Sequence, residues 1–325
     1  MRQLLRRQLP ATFACALTCT FLSAALANHG PGASGGGSST ASGETLKQNH
    51  FELSLREDFT QFERFTPAQA AQRAADAGDF DALRRAYVTS LDLGYGITND
   101  FQIGLNTGYF AGERFLSASR DEDTGDVTVA EAQPSGMTDL VLTGKYRVYR
   151  GWYGNVALLA GIKAPTGRTD VHLSTGEKLS PTDQPGTGAW DFPVGIAYSR
   201  FLTPKLTLDA SAMYLIRTQH EGFQVGDRLD LGAALAYRLT DNINTFPQFA
   251  IFGETLMVYL QKDRDHGETD SNSGSATVYF SPGFRVRFTP NVALTIAPQI
   301  PLYQHVNGDQ GKVEFKITTS LSFSF

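Results

Sequence analysis

The chain has 325 residues, with 28 basic and 33 acidic side chains, a net charge of −5 and a mean hydropathy of −0.21. This acidic balance argues against a nucleic-acid partner, because proteins that bind phosphate backbones present a basic face. After residue 26 no apolar run approaches the ~20 residues that a membrane-spanning helix needs, which excludes a helical membrane protein.

The first 27 residues predict an export signal. Three arginines precede an apolar run from about residue 9 to 26, and Ala25-Leu26-Ala27 has the spacing of a cleavage site. We interpret residues 1–27 as a signal peptide, with a single anchoring helix as the alternative. Both cysteines of the chain, Cys15 and Cys19, lie in this segment, so the mature chain has no thiol. Of the 28 basic residues 25 remain against 33 acidic ones, a net charge of −8.

Residues 28–47 predict a flexible tail rich in Gly and Ser. Six Gly and four Ser fall among residues 28–43. A segment of this composition lacks the apolar side chains that build a core. The folded domain is therefore expected over residues 48–325.

Short turns and long polar loops alternate along this domain. Residues 97–101, 202–206, 239–243 and 288–292 share a pattern of an apolar residue, Thr, two turn-forming residues and an apolar residue. A fifth short turn is expected at residues 150–154. Five short turns and six longer connections divide the domain into twelve strands. The expected spans are 48–59, 86–97, 101–111, 137–149, 155–166, 188–201, 205–217, 227–239, 243–261, 274–288, 292–304 and 312–325.

The last strand shows the clearest alternation of apolar and polar residues. Side chains of a strand point to opposite faces with a period of two. One face carries Val313, Phe315, Ile317, Thr319, Leu321, Phe323 and Phe325. Without spanning helices, only a closed barrel can cross a bilayer. The predicted fold class is all-β, a transmembrane antiparallel up-and-down β-barrel of about 12 strands, with both termini periplasmic because the strand number is even.

The same alternation assigns the two faces of the wall. In strand two, Tyr87, Leu91, Leu93 and Tyr95 share the face that we expect to contact lipid. Charged residues take the opposite parity, because each would cost ~2–4 kcal/mol on the lipid face near the midplane. The lumen candidates are Asp139, Lys145, Arg147, Lys163, Asp191, Asp209, Arg228, Asp230 and Arg285.

The predicted lumen has two interpretations. Acidic and basic side chains either pair and fill it, or line a water-filled path for solutes. A strand number of 12 lies between the ~8 strands of filled barrels and the ~16–18 strands of open channels, so it does not decide between them.

Three motifs, Gly136–Tyr146, Gly161–Gly167 and Gly186–Phe192, resemble the outer-membrane proteins of the MetA-pathway of phenol degradation family in order and spacing. This resemblance extends over most of the mature chain. It implies an outer-membrane barrel that passes aromatic or other small organic compounds. Asp139, Lys145, Lys163 and Asp191 of this sequence are the charged positions of the motifs.

The first long loop predicts a helix. Thr66-Pro67-Ala68-Gln69 has the pattern of a capping box with Pro at the first helical position, and Gly78 marks the end. The helix either lies on the surface or acts as a lid over the pore mouth.

Metal or cofactor binding is not predicted. His172, His220, His266 and His305 each fall in a different expected loop and could converge at one rim, but without compact ligand spacing they are weak metal candidates. The acidic run at residues 121–126 lacks the order of a calcium-binding EF-hand loop and favours a solvated loop near lipopolysaccharide.

We predict a bacterial outer-membrane channel or transporter that passes small organic solutes through a narrow polar lumen, and no enzyme. Within residues 48–325 no G-x-S-x-G elbow occurs, and no strand has an outward His beside an outward Ser. The alternatives are a closed structural or surface-interaction barrel and, less favoured, an enzyme at the rim. Expected partners are membrane lipid, lipopolysaccharide, a small-molecule solute and the barrel-assembly machinery, which would bind the C-terminal strand ending at Phe325.

Overall fold

The computed structural model describes residues 36–121 and 123–325, so the predicted signal peptide lies outside the described residues. Twelve long strands form the wall. They are β1 Phe51–Phe62, β2 Asp79–Gly96, β3 Phe101–Arg120, β4 Leu140–Gly151, β5 Gly154–Ala164, β6 Asp191–Phe201, β7 Leu206–Arg217, β8 Arg228–Arg238, β9 Gln248–Leu260, β10 Ser275–Thr289, β11 Val292–Val306 and β12 Val313–Ser324.

Each strand pairs antiparallel with its neighbours in the chain, and β12 pairs with β1, which closes the barrel. At this seam Phe51 and Phe325 exchange backbone hydrogen bonds of 3.1 and 2.9 Å. The predicted all-β, 12-stranded antiparallel barrel is confirmed. Within the part of the chain that the structure describes, no helix is long and apolar enough to cross a membrane.

The threonine turns lie together at one end of the barrel, which we call the short-turn end. In three of them the Thr hydroxyl accepts a hydrogen bond from a backbone N–H of the turn: 2.9 Å from Phe101 N to Thr98 Oγ1, 3.0 Å from Leu206 N to Thr203 Oγ1 and 3.2 Å from Asn291 N to Thr289 Oγ1. The opposite end, which we call the long-loop end, carries the longer connections.

The connection after β8 is longer than predicted. It covers residues 239–247, and β9 begins only at Gln248, so the expected start at residue 243 was wrong. Thr240 Oγ1 still caps this turn, 2.9 Å from Phe249 N. Pro247 has no N–H for a strand pair, which explains why the strand begins after it.

Alternation assigned the two faces correctly. Leu91 and Leu93 are 39% and 43% exposed on the outer wall, whereas Asp92 between them is 5% exposed in the lumen. The outer wall thus presents an apolar surface. The inner wall carries buried charges from most strands.

β2 and β3 continue past the end of β1 at the long-loop end. Asp79 pairs with Ser119 there, and a short strand, Val127–Ala132, adds to the edge of β3. We call this projecting sheet the hairpin extension. Much of what was expected as loop at residues 60–85 and 112–136 is therefore strand.

Helix α1, Pro67–Ala77, covers one face of the hairpin extension. Ala70 and Ala74 are buried against Phe80 and Leu116. Thr66 and Gln69 form the predicted capping box. Asp81 and Ser117, which have the opposite parity, face the barrel axis beneath a loop instead. The helix is therefore a surface element and does not cover the pore mouth.

The substitution Ala74→Arg is expected to detach α1 without changing conduction. The buried methyl group has no room for a long charged side chain, so residues 66–78 should become sensitive to protease. Ala77→Arg, on the exposed face of the same helix, is the control. A rise in single-channel conductance with Ala74→Arg alone would place the helix over the pore.

Candidate functional site in the barrel lumen

A segment of the N-terminal tail runs through the lumen. Residues 36–43, which we call the plug, are buried inside the barrel. Glu254 of β9, itself 1% exposed, binds this segment with its carboxylate. It accepts hydrogen bonds from the backbone N–H groups of Ser38, Ser39 and Thr40 at 2.9, 3.0 and 2.6 Å. The hydroxyl groups of Ser38 and Thr40 also donate to it, at 2.8 and 2.7 Å.

The plug crosses from one side of the wall to the other. Gly43 N donates to Ser199 Oγ of β6 at 2.7 Å, and Ala41 N donates to Ser211 Oγ of β7 at 3.1 Å. Farther along, Arg56 Nη1 of β1 donates to Ser38 O at 2.6 Å. Backbone groups buried away from water need such partners, and here the wall supplies them.

The inner wall also has the space that the plug needs. Gly232 of β8 faces Thr40, and a Cβ at Gly232 would lie 2.6 Å from Thr40 Oγ1. The described part of the predicted flexible tail is thus held by the lumen wall. A segment of Gly and Ser cannot form its own core, but its backbone and hydroxyl groups can bind a polar wall.

A second element covers the lumen at the long-loop end. Residues 165–190 between β5 and β6, which we call the inner loop, fold inward, and residues 179–180 and 182–186 are buried. Asp183 of this loop interacts electrostatically with Asp81 on β2 and with Asp263, which follows β9. β2 and β9 lie on different sides of the barrel, with at least four strands between them either way round. The inner loop therefore lies over the opening.

The base of the inner loop is closed by Asp139, the residue just before β4. Asp139 Oδ1 accepts from Gly167 N at 2.9 Å, and Oδ2 accepts from Thr187 N at 3.1 Å. Gly167 and Gly186 approach each other so closely that a Cβ on Gly167 would lie 2.7 Å from the Cα of Gly186. These two glycines and Asp139 come from all three sequence motifs, which meet at this point.

Lys163 links the base of the loop to the wall. It bonds to Asp139, lies 2.9 Å from Asp191 Oδ2, and donates to Thr187 Oγ1 at 2.6 Å. All three charged side chains are at most 10% exposed. Three of the predicted lumen residues therefore form one buried cluster, which we call the Lys163 cluster.

A second group of charges lies nearer the short-turn end. Lys145 is buried, and Glu52 and Asp209 act on it electrostatically from other strands. Lys145 Nζ, Glu52 Oε2 and Asp209 Oδ2 have no hydrogen-bond partner among the described residues. Buried charges of this kind require a partner, so water or solute ions are expected to supply it.

The remaining predicted lumen residues serve local roles. Arg147 lies at the short-turn end, where it donates to Asp100 Oδ1 at 2.6 Å rather than lining the centre of the lumen. Arg228 and Asp230 pair with each other on β8 at 2.9 Å. Arg285 donates to Thr295 Oγ1 at 3.0 Å and reaches the carbonyl groups of the plug.

The sequence prediction missed Glu254, which holds the plug. A signal was present, since Glu254 is the only charged residue in β9. The expected span 243–261 contains Pro247 and does not alternate cleanly, so the pattern did not show which face Glu254 occupies. The hydroxyls of Ser199 and Ser211, which also hold the plug, had no distinguishing pattern in the sequence.

The weak histidine candidates do not form a metal centre in the part of the chain that the structure describes, where no group of three or more potential ligand residues could hold a metal ion. His305 lies on β11 and not in a loop as expected. His266 is exposed and contacts its neighbour Asp265 at 2.7 Å. These side chains do not define the site.

A closed antiparallel barrel with an apolar outer wall and a polar lumen has the architecture of an outer-membrane barrel. The sequence matches the family described as "Putative MetA-pathway of phenol degradation" over residues 31–300. The chain belongs to this family. No curated protein matches the sequence.

Among solved structures, the fold resembles the COG4313 outer membrane channel from Pseudomonas putida F1. The TM-score is 0.59 at 16% sequence identity, covering 87% of this chain and 97% of that one. The NanC porin matches with a TM-score of 0.45 at 14% identity, over 83% of this chain and 98% of the porin. The CymD monoaromatic hydrocarbon channel matches with a TM-score of 0.38 at 10% identity, over 86% of this chain and 88% of the channel. The match to the COG4313 channel supports the fold assignment.

Proposed function

We propose that this protein is an outer-membrane channel or transporter that passes small organic solutes, aromatic ones among them, through its lumen. One observation carries the proposal: the centre of the lumen is occupied by the plug, a segment that is not one of the wall strands. A wall whose own side chains filled the barrel would leave no room for a peptide. Removal of the plug would leave a passage about as wide as an extended chain, which suits a small organic molecule.

The relatives point in the same direction. The family description refers to phenol degradation, and the Pseudomonas putida protein is an outer membrane channel. The charged lumen suits solutes that carry a polar or acidic group as well as an apolar part. Catalysis is not part of this proposal.

The orientation we propose places the short-turn end and both termini in the periplasm, with the long-loop end facing outward. The outer wall would then contact lipid and lipopolysaccharide. β12, which ends beside Phe325, would be the segment bound by the barrel-assembly machinery. The predicted boundaries, a signal peptide at 1–27 and a barrel from 48, belong to the same proposal.

Single-cysteine labelling tests this orientation, since residues 28–325 contain no cysteine. A membrane-impermeant maleimide applied to intact cells should label Asp123→Cys in a long loop and leave Asn242→Cys unmodified. Both variants should react after the cells are opened. Labelling of Asn242→Cys from outside would reverse the orientation.

Single-channel recording of the refolded protein in a planar bilayer tests conduction. We expect small, steady or flickering currents that small aromatic acids reduce. A gel shift on heating confirms that the barrel is folded in each preparation. Currents that the aromatic acids leave unchanged would keep the channel but remove aromatic solutes from the proposal.

A closed surface-interaction barrel is the second candidate. The plug occupies the lumen and the inner loop covers its long-loop end, which favours a closed barrel over an open pore in the resting state. A folded barrel that conducts neither as wild type nor after removal of the plug would support this candidate.

A further inference from the structure

An acidic cavity separates the inner loop from the hairpin extension. Its volume is about 60 Å³. Four acidic side chains line it, against a single basic one, Lys178. The acidic residues are Asp79, Asp81, Glu177 and Asp183. Hydroxyl groups of Ser117, Ser119, Thr128, Thr175 and Ser180 complete much of the remaining lining.

Asp183 is the unusual member of this group. It is 1% exposed, and neither of its carboxylate oxygens has a hydrogen-bond partner among the described residues. Asp81, which interacts with it electrostatically, is also buried. An ionised carboxylate without a partner is costly in such a place. Either a proton or a cation must compensate the charge.

Burial opposes ionisation of both groups. Asp81 lies on the hairpin extension, beyond the membrane-spanning wall, and burial raises its pKa to about 7. Burial and the nearby Asp81 raise the pKa of Asp183 well above its ordinary value. A cation between the two carboxylates would reverse this effect and let both ionise.

We propose that this cavity binds a calcium ion between Asp81 and Asp183, a site distinct from the solute path. Calcium accepts six to eight oxygen ligands in flexible geometry, and nearby hydroxyl groups and water can complete the set. A cavity of about 60 Å³ has room for the ion with some of its water. No His or Cys lines it, which disfavours zinc, copper and nickel.

The site is of the weak, hydrated kind. No three acidic or imidazole groups in the described ranges already enclose a metal ion, so water must supply part of the shell. Extracellular calcium modules of this kind have dissociation constants of roughly 10⁻⁴ to 10⁻³ M. The bound ion would fasten the inner loop to the hairpin extension and keep the mouth covered. It would do so whether or not the barrel conducts.

The refolded, lipopolysaccharide-free protein is first treated with a chelator to remove bound metal. Equilibrium dialysis against radioactive calcium then tests the site. We expect one ion per chain, and calcium should slow trypsin cleavage after Lys178 in the inner loop. Asp183→Asn and Asp81→Asn should each remove the binding. Asp123→Asn, in the exposed acidic run, should bind as the wild type does. A gel shift on heating checks that every variant is folded.

Three results would overturn the proposal. The first is an absence of binding to folded wild-type protein at calcium concentrations well above the expected dissociation constant. The second is binding that Asp123→Asn removes and Asp183→Asn retains. The third is protection of the Lys178 cleavage site by a lower pH but not by calcium. A proton, rather than a calcium ion, would then neutralise Asp81 and Asp183, which the acidic groups of Asp79, Glu177 and Asp263 face.

Discussion

A chain that keeps residues 1–27 but lacks residues 28–43 is expected to conduct several-fold more current per channel than the wild type. The plug crosses the lumen and fills its centre, and the closed wall does not depend on it for strand pairing. Since conductance rises with the free cross-section, removal of the plug should widen the narrowest point. Single-channel recording in a planar bilayer measures the change.

The substitution Glu254→Gln weakens the docking of the plug but leaves the plug in the chain, so it tests docking separately from deletion. The amide keeps one acceptor oxygen and loses the charge, whereas the carboxylate accepts from three backbone N–H groups. Hydrogen bonds to a charged group are the stronger ones, so the variant should open more often at the same maximal conductance. Glu314→Gln, an exposed glutamate elsewhere on the barrel, is the control. Equal currents for wild type, deletion and Glu254→Gln would show that the plug does not obstruct the path.

Lys163→Met is expected to destabilise the folded barrel by about 3–5 kcal/mol, because it leaves Asp139 and Asp191 buried without their cation. The same change should release the inner loop, since Lys163 also bonds to Thr187 at its base. The midpoint of urea unfolding in detergent measures the first effect. Trypsin cleavage within residues 165–190 measures the second.

Lys205→Met provides the matched control. Lys205 also pairs with an aspartate, Asp241, but that partner is 92% exposed at the short-turn end. Exposed pairs contribute little, so the midpoint should not move measurably. If Lys163→Met behaved like Lys205→Met, the Lys163 cluster would not hold the inner loop.

The wall of the barrel was predictable because its rules are local. A period of two separates Asp92 from Leu91 and Leu93 whatever the rest of the chain does. In three of the four threonine turns the Thr hydroxyl accepts from a backbone N–H two or three residues later, so the pattern and the turn coincide. Strand number and pairing order follow from these features and from the need to close a barrel in a membrane.

The candidate site was predictable only in part. Parity placed Asp139, Lys163 and Asp191 in the lumen, but nothing in the pattern indicated that one lysine joins both carboxylates and the inner loop. Arg147 has the right parity and still lies at the end of the barrel, because parity specifies a face and not a depth. The hairpin extension was missed since the polar residues of its strands resemble a loop.

The residue pattern alone thus specified a membrane barrel, its twelve strands and the face that most charges of the expected strands occupy, because strands and turns depend on neighbours within a few positions. The contents of the lumen depended on contacts between distant parts of the chain. Glu254 meets Ser38 across a separation of 216 residues. Asp139, Lys163 and Thr187 likewise come together only after β4, β5 and the inner loop have folded. A Gly- and Ser-rich segment has no periodicity that reveals its partner, so only the closed wall could determine that it occupies the lumen.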